Sequence, residues 1–357
     1  MASGEITKMS EKNGKTRRGF IQDAAWLGVG MTASGMGEAK GQEQSMASPV
    51  KGSIPRRRLA NTDVEVSILG LGGFHLGSAE SADAATDIVQ HALDAGINFF
   101  DNAWEYHEGQ SEEWLGKALG GRRNEAVLMT KVCTHGRDKT VAMQMLEESL
   151  RRLRTDHLDV WQIHEVVYDN DPDMIFAPNG AAEALAQAKK QGKVRLIGFT
   201  GHKDPSIHLR MLSHGFPFDT VQMPLNPFDA TFRSFEMHVL PEAQKRGMAV
   251  FGMKSMGGSG EMVKQGGVTA AEALRYAMSL PVTTTISGIE SMEVLKQNLE
   301  ILTNFSPMSQ TEMAALRSRS RSLAGDGHLE LFKTTTMYDG KIGREQHGYP
   351  STEELPA

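Results

Sequence analysis

The sequence predicts an α/β fold: a closed (β/α)8 TIM barrel with an N-terminal β-hairpin and an extra C-terminal helix and tail. Three observations carry this. From residue 68 onward, short apolar runs rich in β-branched or aromatic residues alternate with longer stretches of helical period. There are eight such units over about 240 residues, and strand–helix–strand repeats need right-handed crossovers and a parallel sheet. Polar residues Asp101, Lys131, His164, Thr200, Asn226 and Lys254 all fall at or beside the C-terminal end of a run. An open doubly wound sheet is the competitor, but a barrel brings those ends to one rim, where barrel active sites lie.

The runs are SILGLGG at 67–73, NFFD at 98–101, AVLMTKV at 126–132 and LDVWQIH at 158–164, then RLIGFTG at 195–201, TVQMPLN at 220–226, MAVFGMK at 248–254 and TTTISGI at 283–289. Between them lie amphipathic stretches such as SADAATDIVQHALDAG, with Ile88, Ala92 and Ala95 at helical spacing and Gly96 as a stop. Ahead of the barrel, RRRLANTDVEVSILG reads as two short extended pieces around a turn, a hairpin closing the barrel floor. In FFDNAWEYHEGQSEEWLGKAL the helix SEEWLGKAL reads as capped by Ser111. SQTEMAALRSRSRSLAG is one further helix, capped by Ser309 and ended near Gly325, and residues 326–357 have no sustained period and read as an irregular tail.

Residues 1–53 form a separate region. Twin arginines Arg17 and Arg18, followed by Phe20, Ile21 and a weakly apolar stretch broken by glycines, resemble a twin-arginine (Tat) export signal, with a Gly/Ser/Gln/Ala-rich linker behind it. The expected organisation is export signal and linker at 1–53, barrel at 54–325 and tail at 326–357. The expected location is periplasmic or extracellular, with the Tat translocation machinery as a partner and no stable membrane span in the mature form.

The 357 residues are 39% apolar and carry a net charge of −6 with mixed signs, which gives no basic footprint for nucleic acid. A small-molecule partner fits better. The one cysteine, Cys133, excludes an intramolecular disulfide and a thiolate metal cluster.

Asp101, Tyr106, Lys131 and His164 form a group on three successive strand ends. A tyrosine with an ordinary pKa near 10 needs its phenolate stabilised to act as an acid near neutrality. A lysine ammonium at roughly 4 Å, at an effective dielectric of about 20, contributes about 4 kcal/mol, or about 3 pKa units. Asp101 would hold that ammonium, and His164 would orient a carbonyl oxygen between the tyrosine hydroxyl and a hydride donor. Trp104 and Phe74 are the expected walls of the substrate pocket.

LGLGGFHLG, GINFFDNAWEYHEGQSEEWLGKAL, LMTKV and DVWQIHEV resemble the successive motifs of the aldo-keto reductases, from about Arg57 to Leu302. The resemblance implies NAD(P)-dependent hydride transfer to a carbonyl substrate, an aldehyde, ketone or sugar, with Asp101, Tyr106, Lys131 and His164 as the tetrad and Tyr106 as general acid. It also places cofactor contacts at Thr200, Gly201, His202, Gln222, Met253, Lys254, Gly258, Ser287, Gly288, Glu290 and Asn298. Two positions depart from the family's habit. Met253 stands where many members stack an aromatic on the nicotinamide, and Glu290 stands where NADP-binding members place Arg or Lys. A carboxylate there repels a 2′-phosphate, so the expectation leans to NAD(H), tightly retained if the chain is exported. Two other classes remain as alternatives. One is a metal-dependent barrel built on His107, His135, His164 and His202, whose spacing matches no metal motif. The other is a reductase-like barrel serving as a binding or sensing module.

Overall fold

A computed structural model of the chain describes residues 54–133 and 138–350. The predicted export signal and linker at 1–53 and the candidate ligand His135 lie outside the described residues. All eight runs are strands. A hairpin of β1 (Arg56–Arg58) and β2 (Glu65–Ser67) pairs antiparallel ahead of them. Then β3 (Leu69–Gly72), β4 (Phe99–Asp101), β5 (Val127–Val132), β6 (Leu158–Ile163), β7 (Val194–Thr200), β8 (Thr220–Pro224), β9 (Ala249–Met253) and β10 (Thr284–Gly288) form a closed parallel barrel in which β10 pairs with both β9 and β3.

Side chains alternate across a strand, so the inward face of each run can be read in steps of two. On β4 it passes from Phe99 to Asp101, on β5 from Val127 and Met129 to Lys131, on β6 from Val160 to Gln162, and on β7 from Leu196 to Thr200. The apolar first steps meet in one buried cluster with Ala249, Phe251 and Ile286, and the Phe99 and Phe251 rings touch across the interior at 5.0 Å. Leu59 and Val66 of the hairpin belong to the same cluster, so the hairpin plugs the floor. With the floor dry and packed, the polar second steps are displayed only at the opposite rim. The outward residues, among them Phe100, Leu128, Trp161, Phe199 and Val250, pack against the surrounding helices in the main core.

The helices begin and end where local chemistry dictates. Ala82–Ala95 is capped by Ser81 and stopped by left-handed Gly96, and Gln310–Ala324 opens on a capping box of Ser309 with Glu312. Ser111 is not a cap. The chain winds a tight turn through Tyr106–Gly109, the helix starts at Gln110, and Ser111 lies inside its first turn, donating to the Gly73 carbonyl at 2.6 Å.

Residues 326–350 are not irregular throughout: they include helices Leu331–Thr334 and Lys341–Gln346. They carry no amphipathic period because polar anchors hold them. Lys333 is buried and donates to Asp229 Oδ1 at 2.7 Å, to the Phe232 carbonyl at 2.7 Å and to Glu330 Oε2 at 3.1 Å. Asn226 Nδ2, beyond the end of β8, donates to Glu330 Oε1 at 3.0 Å. The segment thereby reaches the rim at the C-terminal ends of the strands, where the Gly340 N–H donates to Glu165 Oε2 at 2.8 Å. Among the described residues no helix is long and apolar enough to cross a membrane.

Candidate active site

The barrel register brings Asp101, Tyr106, Lys131 and His164 together. Lys131 Nζ forms a close ion pair with Asp101 Oδ1 and donates to the Asn102 carbonyl at 2.8 Å, with both side chains almost fully buried. Gln222, opposite Thr200 on β8, donates to the second Asp101 oxygen at 2.9 Å. Asp101 is thus satisfied on both oxygens and holds the ammonium beneath the Tyr106 ring, 5.1 Å from its centroid. The Tyr106 hydroxyl lies 3.5 Å from His164 Nε2. Phe74, half exposed, packs edge-on against the Tyr106 ring at 5.4 Å and forms the outer wall of the mouth. Trp104 is turned to the neighbouring helix, where its indole N–H donates to Glu148 at 2.7 Å and Arg152 lies over its ring.

The expected lowering of the phenol's pKa does not occur. Burial raises Tyr106 well above the ordinary value of 10, and the nearby carboxylates of Asp101, Glu105 and Glu165 raise it further. The lysine does not outweigh them, because its charge is engaged by Asp101 and it sits under the ring rather than at the oxygen. Tyr106 therefore keeps its proton throughout the neutral range. It remains a competent donor to an alkoxide, which is a stronger base than a phenolate.

Two carboxylates at the site were not anticipated. Glu105, on the same turn as Tyr106, accepts a close hydrogen bond from His164 Nδ1 and leaves its Oε2 buried without a partner. Glu165 follows His164 in the left-handed conformation, and burial, with the Glu105 charge adding to it, pushes its carboxyl up to about 7. Lys254, also left-handed at the end of β9, is pushed down to about 8 by burial, with its ammonium over the Tyr338 ring at 4.6 Å and the Phe332 ring at 5.4 Å. The signal for both glutamates was positional: one precedes the tyrosine and the other follows the histidine at a strand end.

Among the described residues, the histidines of the metal alternative, His107, His164 and His202, do not converge. His107 reaches the Phe74 carbonyl, and His202 donates from Nδ1 to the Phe332 carbonyl of the tail at 3.2 Å, while burial holds it neutral. Among the described residues the group with ligand-type atoms is Glu105, His164 and Glu165, within 4.8 Å of one another. In it, His164 Nδ1 is already bonded to Glu105, and Glu165 accepts from Gly340.

The candidate cofactor positions fall in two places. Thr200, Gln222 and Met253 line the rim beside Asp101, with the Thr200 hydroxyl 4.0 Å from the Met253 sulfur. Gly201 has no room for a side chain, since a Cβ there would lie 2.2 Å from the Val166 carbonyl. Gly258 adopts a φ of 81° against the Tyr338 ring, so the tail lies along the turn after β9. Further round, buried Ser287 accepts from Asn298 at 2.9 Å, Gly288 packs on the His75 ring, and Glu290 is exposed ahead of the helix Met292–Thr303, which Ser291 caps. A nicotinamide fits the first place. Gln222 Oε1 is buried with no partner beside the acid, an acceptor placed for an amide N–H, and Asn102 Nδ2 is a buried donor in the same condition.

The family model for the aldo/keto reductase family matches residues 68–261. Aldo-keto reductase YhdN of Bacillus subtilis is 32% identical over 201 residues, which cover 52% of this chain and 57% of that protein, so the match spans little more than half the relative's length. A 6-dehydroglucose reductase of Novosphingobium aromaticivorans is 30% identical over 220 residues, 57% of this chain and 69% of that protein. A Klebsiella pneumoniae aldo/keto reductase solved in complex with NADP and acetate shares the fold at a TM-score of 0.59 and 24% identity, covering 78% of this chain and 97% of that one.

Proposed function

Since this chain belongs to the aldo/keto reductase family, we propose that it reduces a carbonyl group, on an aldehyde, ketone or sugar, with a nicotinamide cofactor and with Tyr106 as the proton donor. The observation that carries the proposal is the closed set on one rim: Tyr106, still protonated, between a lysine–aspartate pair and a histidine ring. When bound, the nicotinamide supplies or accepts a hydride. Gln222 and Thr200 would hold its amide end, Lys254 and the Gly258 turn its phosphates, and Ser287, Gly288, Glu290 and Asn298 its adenosine end. Tyr106 gives its proton to the carbonyl oxygen as that oxygen becomes an alkoxide. The Lys131 ammonium limits the cost of the phenolate left behind, and the His164 ring holds the Tyr106 hydroxyl in place. The buried floor and the tail over the mouth exclude water around these charges, which strengthens each interaction.

The Glu105 and Glu165 carboxylates make the mouth rich in acceptors, which supports a hydroxylated substrate such as a sugar. The relative acting on 6-dehydroglucose points the same way. Exposed Glu290 supports a preference for NADH over NADPH. Oxidation of each nucleotide by the purified protein with a panel of aldehydes, ketones and keto-sugars tests all three points. Turnover with keto-sugars and NADH is expected. Equal or faster turnover with NADPH overturns the NAD preference, and no turnover with any carbonyl overturns the function.

The Arg17–Arg18 pair supports export in folded form, and working outside the cytoplasm favours a cofactor that stays bound. Cell fractionation of an Arg17→Lys/Arg18→Lys variant is expected to find the protein held in the cytoplasm, and an unchanged distribution overturns export. Mass spectrometry of purified protein that releases no nicotinamide overturns retention.

A further inference from the structure

The Glu105–His164 contact has a geometry that packing alone does not require. Glu105 and Tyr106 are consecutive on one turn, which is closed by the Tyr106 N–H donating to the Ala103 carbonyl at 3.2 Å and pinned to the barrel by the Trp104 N–H donating to the Lys131 carbonyl at 3.1 Å. His164 arrives on a separate element, extending β6, with its N–H on the Val132 carbonyl at 2.9 Å. Its two ring nitrogens then face consecutive residues of the turn: Nδ1 meets the Glu105 carboxylate and Nε2 faces the Tyr106 hydroxyl. Both side chains are largely buried, at 9% and 15% exposure.

A neutral imidazole has one donor and one acceptor nitrogen, and the partner of one nitrogen fixes the state of the other. A carboxylate accepts only, so Nδ1 must carry a proton. Nε2 is then the nitrogen that exchanges a proton with the phenol or the substrate oxygen. We propose that Glu105 is a positioning residue for the reduction: it holds the His164 ring in the Nδ1–H form with Nε2 on Tyr106, and it stabilises the imidazolium when Nε2 also carries a proton. In each turnover the phenol proton goes to the substrate oxygen; a proton from solvent then adds to Nε2, giving the imidazolium, which passes that proton to the phenolate and returns to the Nδ1–H form. The Nδ1 proton stays shared with Glu105 throughout.

The surroundings agree. Burial alone would push the Glu105 carboxyl up, but the His164 ring and its hydrogen bond outweigh this and leave it below the ordinary value, so it is ionised at neutral pH. Lys131 adds to this from β5. Glu165 lies beside the same ring, and Lys254 interacts with Glu165 from the end of β9. Glu165 is anchored to the tail by the Gly340 N–H.

The inference rests on the carbonyl-reduction reading, and the test separates the two. Kinetics of Glu105→Gln, Glu105→Asp and the parent are read beside ring-nitrogen NMR of the full chain labelled with 15N-histidine. Glu105→Gln keeps the size and an acceptor but loses the charge. It is expected to lower kcat about 10- to 10⁴-fold, the range seen when a carboxylate behind a histidine is removed, with KM changed less than about 3-fold and a shifted kcat–pH profile. Glu105→Asp is expected to recover part of kcat. The parent spectrum is expected to show Nδ1 of His164 protonated, and Glu105→Gln to weaken that state. Unchanged kcat and pH profile in Glu105→Gln, or the same tautomer mixture in both proteins, overturns the assignment. So does a stoichiometric divalent metal in the parent that Glu105→Gln loses, because the pair would then be ligands. If no carbonyl is reduced by the parent, the functional reading fails, and the NMR arm still decides whether Glu105 sets the state of His164.

Discussion

Lys131 is almost fully buried, and among the described residues Asp101 balances its charge while the Asn102 carbonyl accepts a further hydrogen bond. Removing one partner of such a pair leaves an uncompensated buried charge, which typically costs about 3–5 kcal/mol. Lys131→Met is expected to lose stability of that order in denaturant unfolding, and Asp101→Asn/Lys131→Met to regain most of it. A double variant no better than the single one would show that the pair contributes through packing instead. The site's pH dependence is also a residue property. Tyr106 stays protonated to beyond pH 10, so it creates no limb in kcat below that. Glu165 loses its proton as pH rises through about 7, placing a new charge beside His164. A change in kcat centred near pH 7 is expected in the parent and absent in Glu165→Gln, and its persistence in the variant would assign it elsewhere. Asp101, Tyr106, Lys131 and His164 were legible because polar side chains ending apolar runs have few other reasons to be there. Glu105 and Glu165 were not, because a glutamate in a turn is ordinarily a solvated side chain, and only the crossing of the turn with β6 buries them.

The strands are the most legible elements, since each must be apolar on two faces over a few residues and change character at one end. The hairpin was also legible, and its role can be measured. Leu59 is fully buried among the first inward residues of the barrel. Leu59→Ala is expected to cost about 2–5 kcal/mol of stability, read by thermal or denaturant unfolding, while kcat per folded molecule is unchanged. A loss of kcat with stability intact would mean that the floor and rim are coupled. The helix after β4 was placed correctly but started wrongly. A serine before two glutamates is a normal cap sequence, yet the left-handed residues His107, Glu108 and Gly109 wind the chain tightly enough to move the start ahead of it. The tail was illegible for a different reason. Its helices are four and six residues long and are held by Lys333, Glu330 and Gly340 reaching partners more than a hundred residues away, a dependence no local period records.

Taken whole, the molecule plugs its floor with the first described residues and docks the last ones against its rim at Glu165 and Lys254, so tail docking and global stability are linked. Glu330 and Glu165 both contact this closure, and burial pushes each from an ordinary 4.5 up to about 7. Between those values the folded chain binds more protons than the unfolded one. Their contribution to stability is therefore greatest at and below pH 4.5 and falls as pH rises to about 7, the reverse of a carboxylate whose folded pKa is lowered. Unfolding midpoints across that window are expected to fall less steeply in Glu330→Gln than in the parent, and an identical slope would remove Glu330 from the account. The proposed reduction turns on a single proton on Tyr106, and the most direct measurement removes only that. In Tyr106→Phe, kcat for the best carbonyl substrate should drop about 10²- to 10⁴-fold, with nicotinamide binding, read by fluorescence titration, unchanged. A phenylalanine variant that turns over at the parent rate, while binding the nucleotide equally well, would contradict the account.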